Sequence, residues 1–358
     1  MNNYPNYPNY NGYSPDIAYQ GYAAVQTDSR PIVPDPVEKK NIKKHLAGTF
    51  TFALLHNAGS FVLALVAFTM LTVMGYEFRT TADGTDIVDW VYGLAGTLPS
   101  IIMCTVLFIS DKSINKYRLD DYVRTDKLSP SFLVGFLCVL GAGYLACILI
   151  QSGVMSLFAL FDYSPLSEDY YTETDLTPAY LAQEFLTAVI LAPICEEIMY
   201  RGVIMRRLSN VSQTYAIFVS AFFFGAMHGN LLQLILGFVI GVIFAYADLK
   251  ANSLIPSIIG HMLVNLTATS SSFFEYFFNK DVADTAFMIT VIVWGVIGII
   301  ALLIMIFSGK IKIPQNLKYH KNRTTPIALT CISFYLNLVL YIIFIIKAMG
   351  PLTEKMKD

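Results

Sequence analysis

Three short stretches of this chain hold residues whose types and spacing could do chemistry. Glu196, Glu197 and Arg201 stand in Ala192-Pro193-Ile194-Cys195-Glu196-Glu197-Ile198-Met199-Tyr200-Arg201-Gly202; His228 follows Phe224-Gly225-Ala226-Met227; His261 and Asn265 lie four apart in a third run. All sit within or beside apolar sequence, where an ionisable side chain is costly and is a functional-site hypothesis by default. Helical spacing separates the two carboxylates. Glu197 and Arg201 face each other and can pair, whereas Glu196 is rotated by roughly 100° from Glu197 and remains free. A free carboxylate, two imidazoles and an amide suit the activation of a water molecule. Glu196, His228 and His261 could hold a divalent metal such as zinc for that purpose. Alternatively, Glu196 acts as general base while His228, His261 and Asn265 orient the water and stabilise an oxyanion. No His-Glu-x-x-His stretch is present, so the metal reading lacks its strongest signature. The structural alternatives are a charged helix end in the headgroup layer and histidines that serve only as interhelical hydrogen bonds.

The elements that must position these groups are membrane helices. Hydrophobic residues make up 55% of the chain and charged residues 14%, and the mean hydropathy is +0.54. That is the composition of a polytopic, all-α membrane protein rather than a soluble domain. A net charge of −2 gives no argument for nucleic acid. The five cysteines lie in apolar runs without metal-site spacing and read as small buried hydrophobes with no disulfide framework. Candidate spans fall at roughly 47–75, 91–110, 131–158, 179–206, 214–229, 231–249, 253–270, 286–308 and 325–347, about nine in all. They form a transmembrane helical domain over residues 46–350. Residues 1–45 form a Tyr/Pro/Asn-rich tail that cannot build a core and is expected to be disordered.

Loop charge sets the orientation. Lys39, Lys40, Lys43 and Lys44 precede the first span, and connections rich in Lys and Arg then alternate with acidic ones. A cytoplasmic N-terminus and an outer C-terminus follow for a multi-pass protein, in the plasma membrane if the chain is bacterial.

Within span four, Thr177 can cap the helix and Pro178 suits its first turn. Pro193 should free the carbonyl of Val189 and bend the helix where the charges enter, opening a water-accessible notch at membrane depth. Gly237 and Gly241 form a small-xxx-small pair that permits close helix approach. Simple counting places His228 far from the cytoplasmic end of its span and Glu196 nearer to it. An interfacial elbow at 208–217, or a longer span four, would reconcile the two.

Taken in order, Glu-Glu-x-x-x-Arg (Glu196, Glu197, Arg201), Phe-x-x-x-His (Phe224, His228) and His-x-x-x-Asn (His261, Asn265) resemble the signature of the CPBP intramembrane proteases. That family includes the type II CAAX prenyl endopeptidases and the bacterial Abi or bacteriocin-immunity membrane proteins. The resemblance covers about residues 179–270. It implies an intramembrane endopeptidase that cleaves peptides or protein tails near the bilayer. Glu196 would activate water, His228, His261 and Asn265 would assist, and Glu197 and Arg201 would support the site. The family is commonly labelled metalloprotease, although a metal-free glutamate mechanism is also argued for it. A non-catalytic membrane immunity or scaffold protein that binds a peptide or membrane partner is the alternative.

Overall fold

The computed structural model describes residues 36–75, 89–115, 119–167, 176–209, 211–311 and 327–353. Nine helices occupy them: α1 (Pro36–Val73), α2 (Asp89–Asn115), α3 (Pro130–Ala159), α4 (residues 178–209), α5 (Gln213–Ala226), α6 (Leu231–Ala251), α7 (Ile255–Phe277), α8 (Lys280–Phe307) and α9 (Ile332–Ala348). They correspond one to one with the expected spans. The tail boundary differs, because α1 already begins at Pro36, inside the stretch expected to be disordered. The remainder of that tail lies outside the described residues. So do the charged connections 76–88, 168–175 and 312–326, which carried much of the orientation argument.

Side-chain caps start the helices where the chain supplies a short polar residue. Thr177 accepts from the Tyr180 amide, Ser129 from Phe132, Ser212 from Tyr215, Asn230 from Gln233 and Asn279 from Val282.

Among the described residues, α1, α2, α3, α6 and α8 are long and apolar enough to cross a bilayer. Helices α5 and α9 are apolar but shorter. The 14 residues of α5 span only about 21 Å against a hydrocarbon core of about 30 Å. The two remaining helices, α4 and α7, are the ones that carry most of the candidate chemistry. The protein is an integral membrane helical bundle.

Two apolar cores hold it together. One is built from α1, α2, α4, α5 and α9 around Phe50, Tyr200, Phe223 and Phe224. The other joins α3, α6, α7 and α8 around Phe136, Leu140, Phe244 and Val264. Helices α5 and α6 touch backbone to backbone at the seam: a Cβ added to Gly237 would sit 2.5 Å from the Gly225 Cα.

Contacts between helix ends give the bundle two faces. At one, Arg207 near the end of α4 donates through Nε to Asp111 near the end of α2 (2.6 Å), and His45 near the start of α1 lies 2.6 Å from the Arg207 carbonyl. Arg206 donates to the Asp121 carbonyl in the α2–α3 connection, and Lys250 at the end of α6 donates to the Lys310 carbonyl beyond α8 (3.0 Å). At the other face, β1 (Tyr163–Ser164) after α3 pairs antiparallel with β2 (Gly350–Pro351) after α9. Arg206, Arg207, Lys250 and Lys310 thus lie at the first face, whereas Lys347, in the last turn of α9, lies at the second.

Candidate active site

The candidate residues meet at the seam between the two cores, and α4 is shaped to bring them there. Residues Phe185–Leu191 and Ile198–Met205 follow wide π turns, and the ordinary helix Ala192–Glu197 lies between them. Such π segments are uncommon and recur at functional sites. The first has a definite consequence. The Ala192 amide donates to the Thr187 carbonyl, so in this register the Ala188 carbonyl would need the amide of residue 193. Proline has none. Asn265 fills the gap: its Nδ2 donates to the Ala188 oxygen across 2.7 Å. Sequence reasoning had assigned the orphaned carbonyl to Val189 and had aimed Asn265 at an oxyanion. The π register moves the gap by one residue, and the amide that closes it comes from α7.

Glu197 and Arg201 pair as their spacing requires. Arg201 Nη1 donates to Glu197 Oε1 (3.2 Å), and Nε approaches Oε2 to 3.1 Å as an ion pair without hydrogen-bond alignment. Both side chains are fully buried. The guanidinium stacks over Phe224 at 4.2 Å from the ring centroid and lies 5.4 Å from that of Phe244, so it bridges the two cores. Gly241 makes room for it: a Cβ there would stand 3.1 Å from Arg201 Nη2.

His261 joins the same cluster. Its Nδ1 lies 2.9 Å from Glu197 Oε1, and because a carboxylate only accepts, this nitrogen carries the proton. The other ring nitrogen, Nε2, is 3.9 Å from Glu196 Oε2. His261 thus stands between the two carboxylates. It reaches them from only two turns into α7 because the α6–α7 connection is itself buried. That connection is pinned by Asp248, which accepts from the Ser257 amide (3.0 Å) and hydroxyl (2.6 Å), and by the Leu254 amide, which donates to the Tyr122 carbonyl (2.8 Å).

Glu196 points the other way. Its side chain is 14% exposed where that of Glu197 is 0%, and the exposed part opens on a cavity of about 300 Å³ that His228 also lines. That volume is at the small end for a ligand pocket. His228 Nδ1 lies 3.0 Å from the Phe224 carbonyl. A carbonyl only accepts, so Nδ1 holds the proton and Nε2 is left for the cavity. Helix α4 remains helical to residue 209. At about 1.5 Å per residue, Glu196 lies roughly 17 Å along α4 from Arg207 and His228 roughly 22 Å beyond the start of α5, and the cavity that both line joins the two depths. His228 sits in the α5–α6 turn, where Gly229 adopts a φ of +74°. Irregular backbone at that depth is tolerated only inside protein or along a wet cavity.

The site therefore has two halves. Glu197, Arg201 and His261 form a buried, mutually paired group, whereas Glu196 and His228 share an open space. Asn265 serves the backbone of α4. Among the described residues, no three His, Cys, Asp or Glu side chains are grouped so that they could hold a metal ion. Glu196, His228 and His261, which could serve as ligands by type, are not in such a group.

Sequence reasoning missed two contributors. His56 of α1 lines the same cavity; its Nδ1 is 3.1 Å from the Tyr200 hydroxyl and its Nε2 3.2 Å from the Ser100 hydroxyl. It is the one ionisable side chain between His45 and Glu77 apart from Tyr76, so the argument that singled out His228 applied to it equally. Asp111 was hidden beside Lys112 in what reads as a basic loop, yet it is buried and paired with Arg207.

Residues 178–267 match the family model for Rce1-like proteins, described as type II CAAX prenyl endopeptidase Rce1-like. That segment, about a quarter of the chain, is similar to the core of this family. The match begins at the first residue of α4, ends just beyond Asn265, and contains Glu196, Glu197, Arg201, His228 and His261. Helices α1, α2, α3, α8 and most of the cavity wall opposite Glu196 lie outside it. No curated protein and no solved structure matches the chain.

Proposed function

We propose that this protein is an intramembrane endopeptidase that hydrolyses peptides or protein tails held at the bilayer, with Glu196 as the base that activates water. The observation that carries this reading is the cavity shared by Glu196 and His228 at membrane depth, within an Rce1-like segment. In this mechanism Glu196 takes a proton from a cavity water as the hydroxide adds to the scissile carbonyl carbon. His228, whose Nε2 carries no proton, accepts a hydrogen bond from that water and orients it. When the C–N bond breaks, the proton on Glu196 passes to the leaving amine, and an acid and an amine depart. Glu197, Arg201 and His261 hold the end of α4 so that Glu196 keeps its orientation, and Asn265 does the same for the break at Pro193.

In this mechanism Glu196 acts on water directly, without a metal. That choice is supported by the donor set, since His261 Nδ1 is committed to Glu197 and Glu196, His228 and His261 do not converge. A cytoplasmic N-terminus is supported by Arg206, Arg207 and Lys250 at the face where α1 begins.

Membranes from cells that express the wild-type chain, or Glu196→Gln, should be compared by mass-spectrometric profiling of peptide termini. The proposal expects new termini near membrane anchors in the wild type alone. Identical termini in both would overturn it and favour a non-catalytic immunity or scaffold protein.

A further inference from the structure

The wall of the cavity opposite Glu196 comes from helices that the family match does not reach. His56, Asn57 and Ser60 of α1 and Thr97 and Ser100 of α2 all line it. His56 and Ser100 bond each other and Asn57 bonds within the bundle, as polar contacts between membrane helices do, but Ser60 and Thr97 bond the carbonyls of their own helices and still line the cavity. The two helices do approach closely: a Cβ on Gly59 would meet Met103 Cε at 2.5 Å.

The hydrogen bonds of this wall have a direction. Ser60 Oγ donates its proton to the His56 carbonyl (2.6 Å) and Thr97 Oγ1 donates to the Gly93 carbonyl (2.8 Å). A hydroxyl has one proton and two lone pairs, so each offers the cavity only acceptor capacity. Asn57 also spends its donors inside the bundle, on the Ala53 carbonyl and the Tyr341 hydroxyl, each at 2.8 Å. On the other side, the matched segment supplies Ala192, Cys195, Glu196, Met227 and His228. Its one carboxylate is needed for water. A peptide drawn into a site at this depth loses the water on its backbone amides, and an unpaired buried N–H is costly. With Glu196 and His228 Nε2 both engaged on the water, its acceptors come from the α1–α2 wall.

We infer that Ser60 and Thr97 form a subsite that accepts hydrogen bonds from backbone N–H groups of an extended peptide lying between the α1–α2 wall and Glu196. This rests on the proposed role of Glu196 as a peptide-cleaving base. The subsite recognises main chain rather than side chains, so it fixes the register of the scissile bond without demanding a particular sequence.

The test uses the purified full-length chain in detergent micelles with a fluorogenic farnesylated CAAX peptide as probe. A second set of probes carries single amide-to-ester replacements that each remove one N–H. One neutral hydrogen bond corresponds to about 3–10-fold in binding. Thr97→Val, and separately Ser60→Ala, should raise KM by about that factor with kcat within about twofold. One ester probe should show the same loss with the wild type and no further loss with the variant that lacks its acceptor. Thr69→Val is the control, since it removes the same kind of hydroxyl-to-carbonyl bond from an exposed part of α1, and it should leave KM unchanged. Because the ester probes act on unaltered protein, the result does not depend on any variant's folding. If no ester probe is weaker with the wild type, or ester and variant losses multiply at every position, the subsite is refuted while the base assignment stands. If the wild type does not turn over the parent probe, the endopeptidase reading fails for a membrane-anchored protein tail and this inference falls with it.

Discussion

The buried group around Glu197 permits a quantitative prediction about stability. Arg201 has no water to fall back on: it is held by Glu197, by the Gly241 carbonyl at 3.4 Å and by the face of Phe224. Breaking a buried ion pair by removing one partner typically costs about 3–5 kcal/mol, because the other charge is left uncompensated. The two single variants should not be equal. Arg201→Met leaves Glu197 with His261 still donating at 2.9 Å, so its cost should fall near the lower end, about 3 kcal/mol. Glu197→Leu strips Arg201 of its counter-ion and His261 of its acceptor, so its cost should reach about 5 kcal/mol. The double variant Glu197→Leu/Arg201→Met removes both charges and should recover part of the loss, giving a coupling of about 2 kcal/mol or more. The assay is the unfolding midpoint of the purified protein in mixed micelles titrated with a denaturing detergent, compared across the four proteins. Arg201→Met costing under about 1 kcal/mol, as an exposed pair would, or a double variant equal to the sum of the singles, would refute the claim that this pair is buried and mutually dependent.

Two further predictions concern positioning. Asn265→Leu should destabilise by about 1–3 kcal/mol, because the Ala188 carbonyl is left buried and unpaired; in a Pro193→Ala background, where residue 193 regains its amide, the same substitution should cost clearly less. Equal costs in both backgrounds, read from the same unfolding titrations, would contradict the π-register account. Asp111→Ala should lower the midpoint by a comparable amount and be partly rescued by adding Arg207→Met, whereas full stability of the single variant would show that the α2–α4 contact contributes nothing.

Much of this arrangement was legible in the sequence for specific physical reasons. Helices register as long apolar runs, and a Thr-Pro pair marks the start of α4. The i, i+4 spacing makes Glu197 and Arg201 neighbours, and the same geometry turns Glu196 away from them. What could not be read is how α4 departs from ideal geometry. A helix counted at 3.6 residues per turn puts the proline gap at Val189, whereas the π turns move it to Ala188 and so give Asn265 its partner. Site depth is not legible either, since how far α4 continues beyond Arg201 follows from its fold rather than from local composition. His56 was overlooked because the family signature drew attention to residues 179–270, while the cavity takes one wall from outside that segment. Asp111 was read with its basic neighbours because burial at a helix end leaves no mark in local composition.

The central claim is that Glu196 is the base and that its carboxylate acts on water directly. The decisive measurement is peptide cleavage by the purified protein reconstituted in lipid vesicles, for the wild type and Glu196→Gln, each with and without a strong chelator. The account predicts cleavage by the wild type that the chelator leaves unchanged, and a fall of at least about 100-fold in Glu196→Gln, the contribution typical of a positioned general base. Retained cleavage by Glu196→Gln would contradict the assignment of the base. Loss of wild-type cleavage on chelation, restored by adding a divalent metal, would contradict the direct mechanism.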